Sequence, residues 1–106
     1  MNKDLILESL VNSCLTFSPN KFVPFLMSKE VIVSYPNKIR FYSFFKIMID
    51  CTKKESIGKL NLKIEQLDDV ENQFYYNFYD EVHKYARLTI IVTIIKDKVK
   101  IEVMPF

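Results

Sequence analysis

The stretch RLTIIVTIIKDKVKIEVMPF, residues 87–106, decides the fold of this chain. Its apolar residues alternate with other residues on both sides of the segment Lys96–Asp97–Lys98, as they do in two strands that each bury one face. The residues of this inner face are Leu88, Ile90, Val92 and Ile94 in the first strand and Val99, Ile101 and Val103 in the second. The pattern therefore predicts a β-hairpin that forms one wall of a core.

The other face of the first predicted strand is half apolar. Its residues are Thr89, Ile91, Thr93 and Ile95. An exposed patch of this kind usually has a partner. We therefore expect this face to contact another chain, either a different protein or a second copy in a homodimer that forms through the outer sheet face.

Three helices and two strands are predicted before the hairpin. Apolar residues at three- and four-residue spacing indicate the helices, whereas alternation and β-branched residues indicate the strands. Asn2 and Asn20 are the expected caps of the first two helices, and Pro24 falls in the first turn of the second. The wide apolar arc of the third helix predicts that it is wrapped on most sides. The predicted helices span residues 3–16, 22–27 and 38–54, and the predicted strands span residues 30–35 and 59–65.

Residues 70–86 fit two structures. As a helix, this segment would be capped by Asp68 with Glu71 in a capping box, and its apolar residues would recur every four positions. As a strand, it has the typical density of Phe and Tyr, and the neighbouring strands favour an extended chain in a curved sheet. With one glycine in the whole chain, a turn near residues 81–85 must be a longer loop. Both interpretations stay open at this point.

The order of elements resembles a known family. A short helix runs into a short strand over residues 22–35, and the hairpin over residues 88–103 closes the sheet. In this order the chain resembles the nuclear-transport-factor-2-like superfamily, the cone-shaped α+β fold shared with ketosteroid isomerase, scytalone dehydratase and polyketide cyclases. The resemblance implies N-terminal helices and one long apolar helix packed against a strongly curved, mostly antiparallel sheet. It also implies a pocket at the wide end of the cone and, often, dimerisation.

Composition and charge place the chain among single-domain proteins, with residues 1–106 as one unit. It is 49% hydrophobic with nine Phe and six Tyr, which is enough to bury a core. The net charge of +2 comes from 15 basic and 13 acidic side chains that are interspersed, so no signal specific for nucleic acid is present. No apolar run reaches the roughly 18 residues of a membrane span. We expect a cytoplasmic protein, in which a disulfide between Cys14 and Cys51 stays open as an alternative to two free thiols.

The sequence contains no catalytic motif, cofactor motif or metal-ligand cluster. His83 is the one histidine, and Asp80 lies three residues before it, as in an acid/base pair. A lone histidine between Glu81 and Lys84 is more typical of a solvated surface. The sequence thus favours a protein without enzymatic activity and without a cofactor.

Two functions from different classes follow. The first is a non-enzymatic protein-interaction module, such as an immunity or inhibitor protein that binds and blocks a macromolecular partner, because the chain is rich in tyrosine and lacks a catalytic set. The second is a small-molecule-binding protein, or an isomerase- or dehydratase-like enzyme, whose pocket is lined by Tyr42, Tyr76, Asp80 and His83. The candidate binding residues of the first hypothesis are Tyr75, Tyr79, His83, Tyr85, Thr89, Ile91, Thr93 and Ile95.

Overall fold

Within residues 2–66 and 70–105, which the computed structural model describes, the chain folds into three α-helices and a five-stranded sheet. The α+β class predicted from the sequence is confirmed. The helices are α1 (Lys3–Leu15), α2 (Val23–Leu26) and α3 (Lys38–Glu55), with a 3₁₀ helix (Pro19–Phe22) before α2. The strands are β1 (Val31–Val33), β2 (Asn61–Gln66), β3 (Gln73–Tyr79), β4 (Leu88–Ile95) and β5 (Lys98–Val103).

The sheet is open and mixed, with the strand order β1-β5-β4-β3-β2 in the described part of the chain. β1 runs parallel to β5, and the other neighbouring strands are antiparallel. The predicted hairpin is confirmed, because β4 pairs with β5 so that Ile90 lies opposite Val103 and Val92 opposite Ile101. Its inner residues therefore line up on one face, as their alternation predicts.

The helices pack on one face of the sheet and bury a continuous apolar core. Phe41 and Phe45 of α3 stack with ring centroids 5.7 Å apart, and Phe22 meets Phe45 edge-on at 5.9 Å. Aromatic pairs at such distances add to the stabilisation that comes from area burial. Alternate residues of the central strands complete this core, among them Phe78, Leu88, Ile90, Val92, Val99 and Ile101.

α3 is buried along one stripe, which half-buried residues such as Tyr42 and Phe44 flank, and is exposed on its outer side. The buried residues of α3 are Phe41, Phe45, Met48, Ile49 and Thr52. On its other sides, Ile39 is 75% exposed and Ile47 is 57% exposed. The expectation that this helix is wrapped on most sides is therefore wrong. A helix that lies on one face of an open sheet is covered along the side that meets the core.

Asparagine caps start both long helices. The Asn2 side-chain oxygen accepts a hydrogen bond from the Asp4 N–H at 2.7 Å, and the Asn37 side-chain oxygen accepts one from the Arg40 N–H at 2.8 Å. Each cap satisfies an N–H that has no partner inside its own helix. The predicted cap of α1 is confirmed.

The predicted cap at Asn20 is wrong. The 3₁₀ helix begins at Pro19 and already contains Asn20, and no side-chain cap precedes it. The fixed φ of proline suits the first position of a helix, so the chain starts to turn at Pro19, before the predicted cap and before the predicted helix over residues 22–27. Pro24 does lie in the first turn of α2, as expected.

Part of the ambiguous segment 70–86 is a strand. β3 spans Gln73–Tyr79 and pairs with β2 on one side and β4 on the other, so the helical interpretation is wrong. The chain between β3 and β4 forms a loop over residues 80–87, which confirms the longer connection expected without glycine. The proposed cap Asp68 and the predicted end of the preceding strand at residues 67–69 lie outside the described residues.

Candidate binding face

The sheet has a second face that the helices do not cover, here called the open face. It carries the residues of β3 and β4 that alternate with the core residues, together with outward residues of β2 and β5. Its central members are Gln73, Tyr75, Asn77 and Tyr79 of β3, Thr89, Ile91, Thr93 and Ile95 of β4, and Lys98, Lys100 and Glu102 of β5. Most of them are half-buried by their neighbours in the sheet.

An apolar strip crosses the open face at its centre. Tyr75 lies directly opposite Ile91, and Ile91 lies opposite Glu102 on the next strand. Directly opposite residues in a sheet contact each other through their side chains. Ile95 lies farther along β4, beyond Thr93 and opposite Lys98, and is 43% exposed. The strip therefore offers an aromatic and aliphatic surface of the kind found at the centre of protein interfaces.

Paired polar groups flank the apolar strip. On one side the Thr89 hydroxyl donates to the Asn77 side-chain oxygen at 2.7 Å, and on the other the Gln73 amide donates to the Thr93 hydroxyl at 3.2 Å. Each of these hydrogen bonds links β3 to β4 and helps to hold the two strands in register.

Glu102 is also engaged at the margin of this face. Its carboxylate accepts a hydrogen bond from the Ser34 hydroxyl at 2.7 Å and lies 3.9 Å from the Lys100 ammonium. Polar groups that surround an apolar centre give the face the layout of a contact surface.

The structure brings together six of the eight predicted binding residues. They share the open face and are Tyr75, Tyr79, Thr89, Ile91, Thr93 and Ile95. His83 and Tyr85 lie instead in the loop between β3 and β4, where Tyr85 is 78% exposed. The prediction therefore combined a sheet surface with a separate loop.

Asp80 forms the centre of a hydrogen-bonded loop. One oxygen of its fully buried carboxylate lies 2.6 Å from His83 Nδ1 and accepts from the Ile57 N–H at 3.0 Å. The other oxygen accepts from the backbone N–H of His83 at 2.7 Å and of Val82 at 3.2 Å. All four contacts tie the loop after β3 to itself and to the chain that follows α3.

These contacts give Asp80 a structural role. Burial by itself would raise the pKa of Asp80, but the hydrogen bonds from His83, Ile57 and Val82 outweigh it and hold that pKa well below its ordinary value. A general base needs a pKa near the working pH and an oxygen free to accept the substrate proton. Asp80 has neither property, so it does not support the acid/base pair considered from the sequence.

Glu81 makes a second link between the same two segments. Its carboxylate accepts from the Lys59 N–H at 2.7 Å, and its own N–H donates to the Ile57 carbonyl at 3.1 Å. Gly58 adopts a φ of +80°, a conformation that glycine takes without strain, and a Cβ there would displace the Glu81 carboxylate. Glycine at this position therefore allows the bond between Glu81 and the Lys59 N–H. Sequence reasoning missed this link, for which Gly58 was the available signal.

An apolar groove of about 710 Å³ runs between α1 and β2. Its apolar lining consists of Leu5, Leu7, Val11, Leu15, Phe25, Ile64 and Tyr76. Burial, with the charge of Asp4 as a lesser cause, raises the pKa of Tyr76. Of the four residues proposed to line a pocket, Tyr76 lies in this groove, whereas Tyr42, Asp80 and His83 do not.

The described residues contain neither a membrane-spanning helix nor a cluster of metal ligands. None of their helices is long and apolar enough to cross a membrane. In the same part of the chain, no group of three or more His, Cys, Asp and Glu side chains is placed to hold a metal ion. Cys14 and Cys51 are both free thiols, and burial raises the pKa of Cys14.

Comparison of the chain with known protein families, curated proteins and solved structures gives no match. Any indication of function therefore comes from the fold and from the open face.

Proposed function

We propose that this protein is a non-enzymatic interaction module that binds a protein partner through the open face of its sheet. The observation that supports the proposal is that β4 carries isoleucine on both faces while helices cover one of them. Ile91 and Ile95 are left on the uncovered side, where Ile91 lies opposite Tyr75. Aromatic and aliphatic side chains at the centre of a polar surface are the usual anchors of a protein interface.

The arrangement of polar groups favours binding over catalysis. Asp80 is held as a charged carboxylate by four hydrogen bonds, and the polar side chains beside the apolar strip of the open face are hydrogen-bonded to each other. A surface of this kind recognises a partner by shape and by buried area. Within this proposal the protein acts in the cytoplasm as an immunity or inhibitor protein, which blocks its partner by covering it.

The cone-shaped fold of the nuclear-transport-factor-2-like superfamily is part of the same proposal. It is supported by the order of elements, in which α1, a short helix, β1 and the long helix α3 precede four strands. In such a fold the outer sheet face is often used for dimerisation, and association through the open face is proposed here. A homodimer through this face is the competing use of the same surface.

A matched pair of double variants tests the proposal. Ile91→Lys with Ile95→Lys places two charges on the open face, whereas Ile39→Lys with Ile47→Lys makes the same change at two exposed isoleucines of α3. Each tagged protein is purified from its native host, and any co-purified partner is quantified by mass spectrometry. We expect wild type and the α3 variant to retain one stoichiometric partner protein, which the open-face variant loses.

Loss of the partner by the α3 variant alone would contradict the proposal, as would retention of the partner by both variants.

The small-molecule alternative is favoured by one observation, the groove of about 710 Å³ between α1 and β2, whose volume falls within the usual range for ligand pockets. Recovery of the protein with a bound small molecule and without a protein partner would support that alternative.

A further inference from the structure

β2 lies at an edge of the sheet, and no described strand covers its outer side. It ends the strand order and pairs with β3 along all six of its residues. Five of its side chains are exposed and one, Leu62, is half-buried. A strand of this kind presents unpaired backbone N–H and C=O groups to which another strand can pair.

The charges of β2 make the strand complementary to itself. Lys63 and Glu65 lie on the open face, two residues apart, with Ile64 between them on the helix face. Within one chain they form an exposed ion pair, with 3.7 Å between the ammonium nitrogen and the carboxylate oxygen. If two β2 strands pair antiparallel about a two-fold axis through Ile64, Lys63 of each copy lies opposite Glu65 of the other. Opposite charges directly across a sheet are stabilising.

The same charges distinguish this register from its neighbours. An axis through Lys63 places two lysines opposite each other, and an axis through Glu65 places two glutamates opposite each other. Like charges in directly opposite positions are destabilising. These charges therefore favour the register centred on Ile64 over the registers centred on Lys63 and on Glu65.

Apolar surface on the helix face lies beside the same axis. Ile64 is 50% exposed, Leu5 of α1 is 52% exposed and Leu15 of α1 is 37% exposed. All three line the groove between α1 and β2. In the register centred on Ile64, the isoleucines of the two copies meet and both grooves adjoin the contact. Removing this apolar surface from water supplies a driving force that backbone pairing alone lacks.

We propose that a second copy of this chain pairs with β2 in this register. The contact is isologous, as expected for a two-fold dimer, and it joins two five-stranded sheets into one continuous sheet. Both open faces then lie on the same side of the joined sheet. Tyr75, which is opposite Glu65 within one chain, lies one strand away from the axis. The inference does not depend on the proposed function, because it concerns the edge of the sheet and not its open face.

Charge reversal in two single variants tests the proposal. Lys63→Glu places two glutamates of one copy opposite two glutamates of the other, and Glu65→Lys does the same with lysines. We expect each single variant to weaken the dimer at least about tenfold relative to wild type. The double variant Lys63→Glu with Glu65→Lys restores opposite charges and should recover the dimer. Sedimentation analysis over a range up to about 100 μM measures the association, since it covers micromolar dissociation constants.

Mixing the two single variants gives the sharpest readout. Each is expected to be monomeric alone, but together they place glutamates opposite lysines at every charged position, so a one-to-one heterodimer should form. Lys46→Glu is the matched control, because it reverses an exposed lysine of α3 that belongs neither to β2 nor to the open face. It should leave the wild-type dimer unchanged. Circular dichroism of each variant verifies that the fold is retained.

Three results would overturn the proposal. The first is a wild-type chain that stays monomeric at about 100 μM, which would mean that the charges of β2 protect the edge from pairing. The second is a dimer that persists in both single variants. The third is a dimer that is lost in the Ile91→Lys, Ile95→Lys protein and kept in the β2 variants, which would place the contact on the open face.

Discussion

The two faces of β4 are built from similar residues but have different roles. Ile90 is completely buried beneath the helices, whereas its neighbour Ile91 is half-buried on the open face. Both side chains have the same volume and the same β-branched shape. What differs is the layer that covers them, because the helices are attached to one side of the sheet. Residue type alone therefore does not reveal whether an isoleucine of this strand stabilises the fold or is available to a partner.

The largest expected effect on stability comes from truncating Ile90, and truncation of its neighbour Ile91 is the matched comparison. Ile90→Ala should lower the free energy of unfolding by about 2–5 kcal/mol, because it removes buried methylene and methyl groups and leaves a cavity. Ile91→Ala should lower it by less than about 1 kcal/mol, since its site is partly open to solvent. Urea denaturation followed by circular dichroism measures both values. Equal losses for the two variants would mean that the open face is covered in the folded protein.

A second comparison concerns the carboxylates. Asp80→Asn removes the charge of a buried carboxylate that accepts four hydrogen bonds, whereas Asp50→Asn alters an exposed residue on α3. We expect Asp80→Asn to destabilise the protein at pH 7, by less than Ile90→Ala does, and Asp50→Asn to have no measurable effect. Thermal unfolding at pH 7 of the two variants and wild type tests this ranking.

The same carboxylate predicts a dependence of stability on pH. The pKa of Asp80 is lower in the folded protein than in the unfolded chain, where it is about 3.9. Its stabilising contribution is therefore complete above the unfolded value and is lost as the pH falls below about 4 towards the folded pKa. The difference in stability between wild type and Asp80→Asn should shrink over that interval. A difference that stays constant from pH 7 to about pH 2 would show that the charge of Asp80 does not contribute.

Local patterns were sufficient to predict much of the fold. The alternation over residues 88–103 located the hairpin and its inner face, and the asparagine before α1 located the start of that helix. These features depend on residues close together in sequence. Segment 70–86 could not be assigned because Phe74 and Phe78, four positions apart, share a face in a helix and also in a strand. Pairing with β2 and β4, which is a long-range property, decides the outcome.

The candidate binding face and its surroundings could be predicted only in part, again because some of their contacts are long-range. The residues of β4 on the open face follow from alternation, whereas the Asp80 loop depends on a bond to Ile57, twenty-three residues away. The groove between α1 and β2 likewise arises from the place where α1 lies on the sheet. Neither arrangement leaves a periodic signal in the sequence.

A small effect on stability is also expected at the open face itself. The Ile91→Lys, Ile95→Lys protein changes two apolar side chains on a surface that the helices leave uncovered. A long lysine side chain can keep its charged end in water at such positions. The central claim, that this face is an outer surface available to a partner, therefore requires the variant to remain folded.

Urea denaturation of this double variant is the most direct measurement of that claim. We expect one cooperative transition with a free energy of unfolding within about 1 kcal/mol of wild type. A protein that is unfolded in the absence of urea would contradict the claim, because it would show that Ile91 and Ile95 belong to the core.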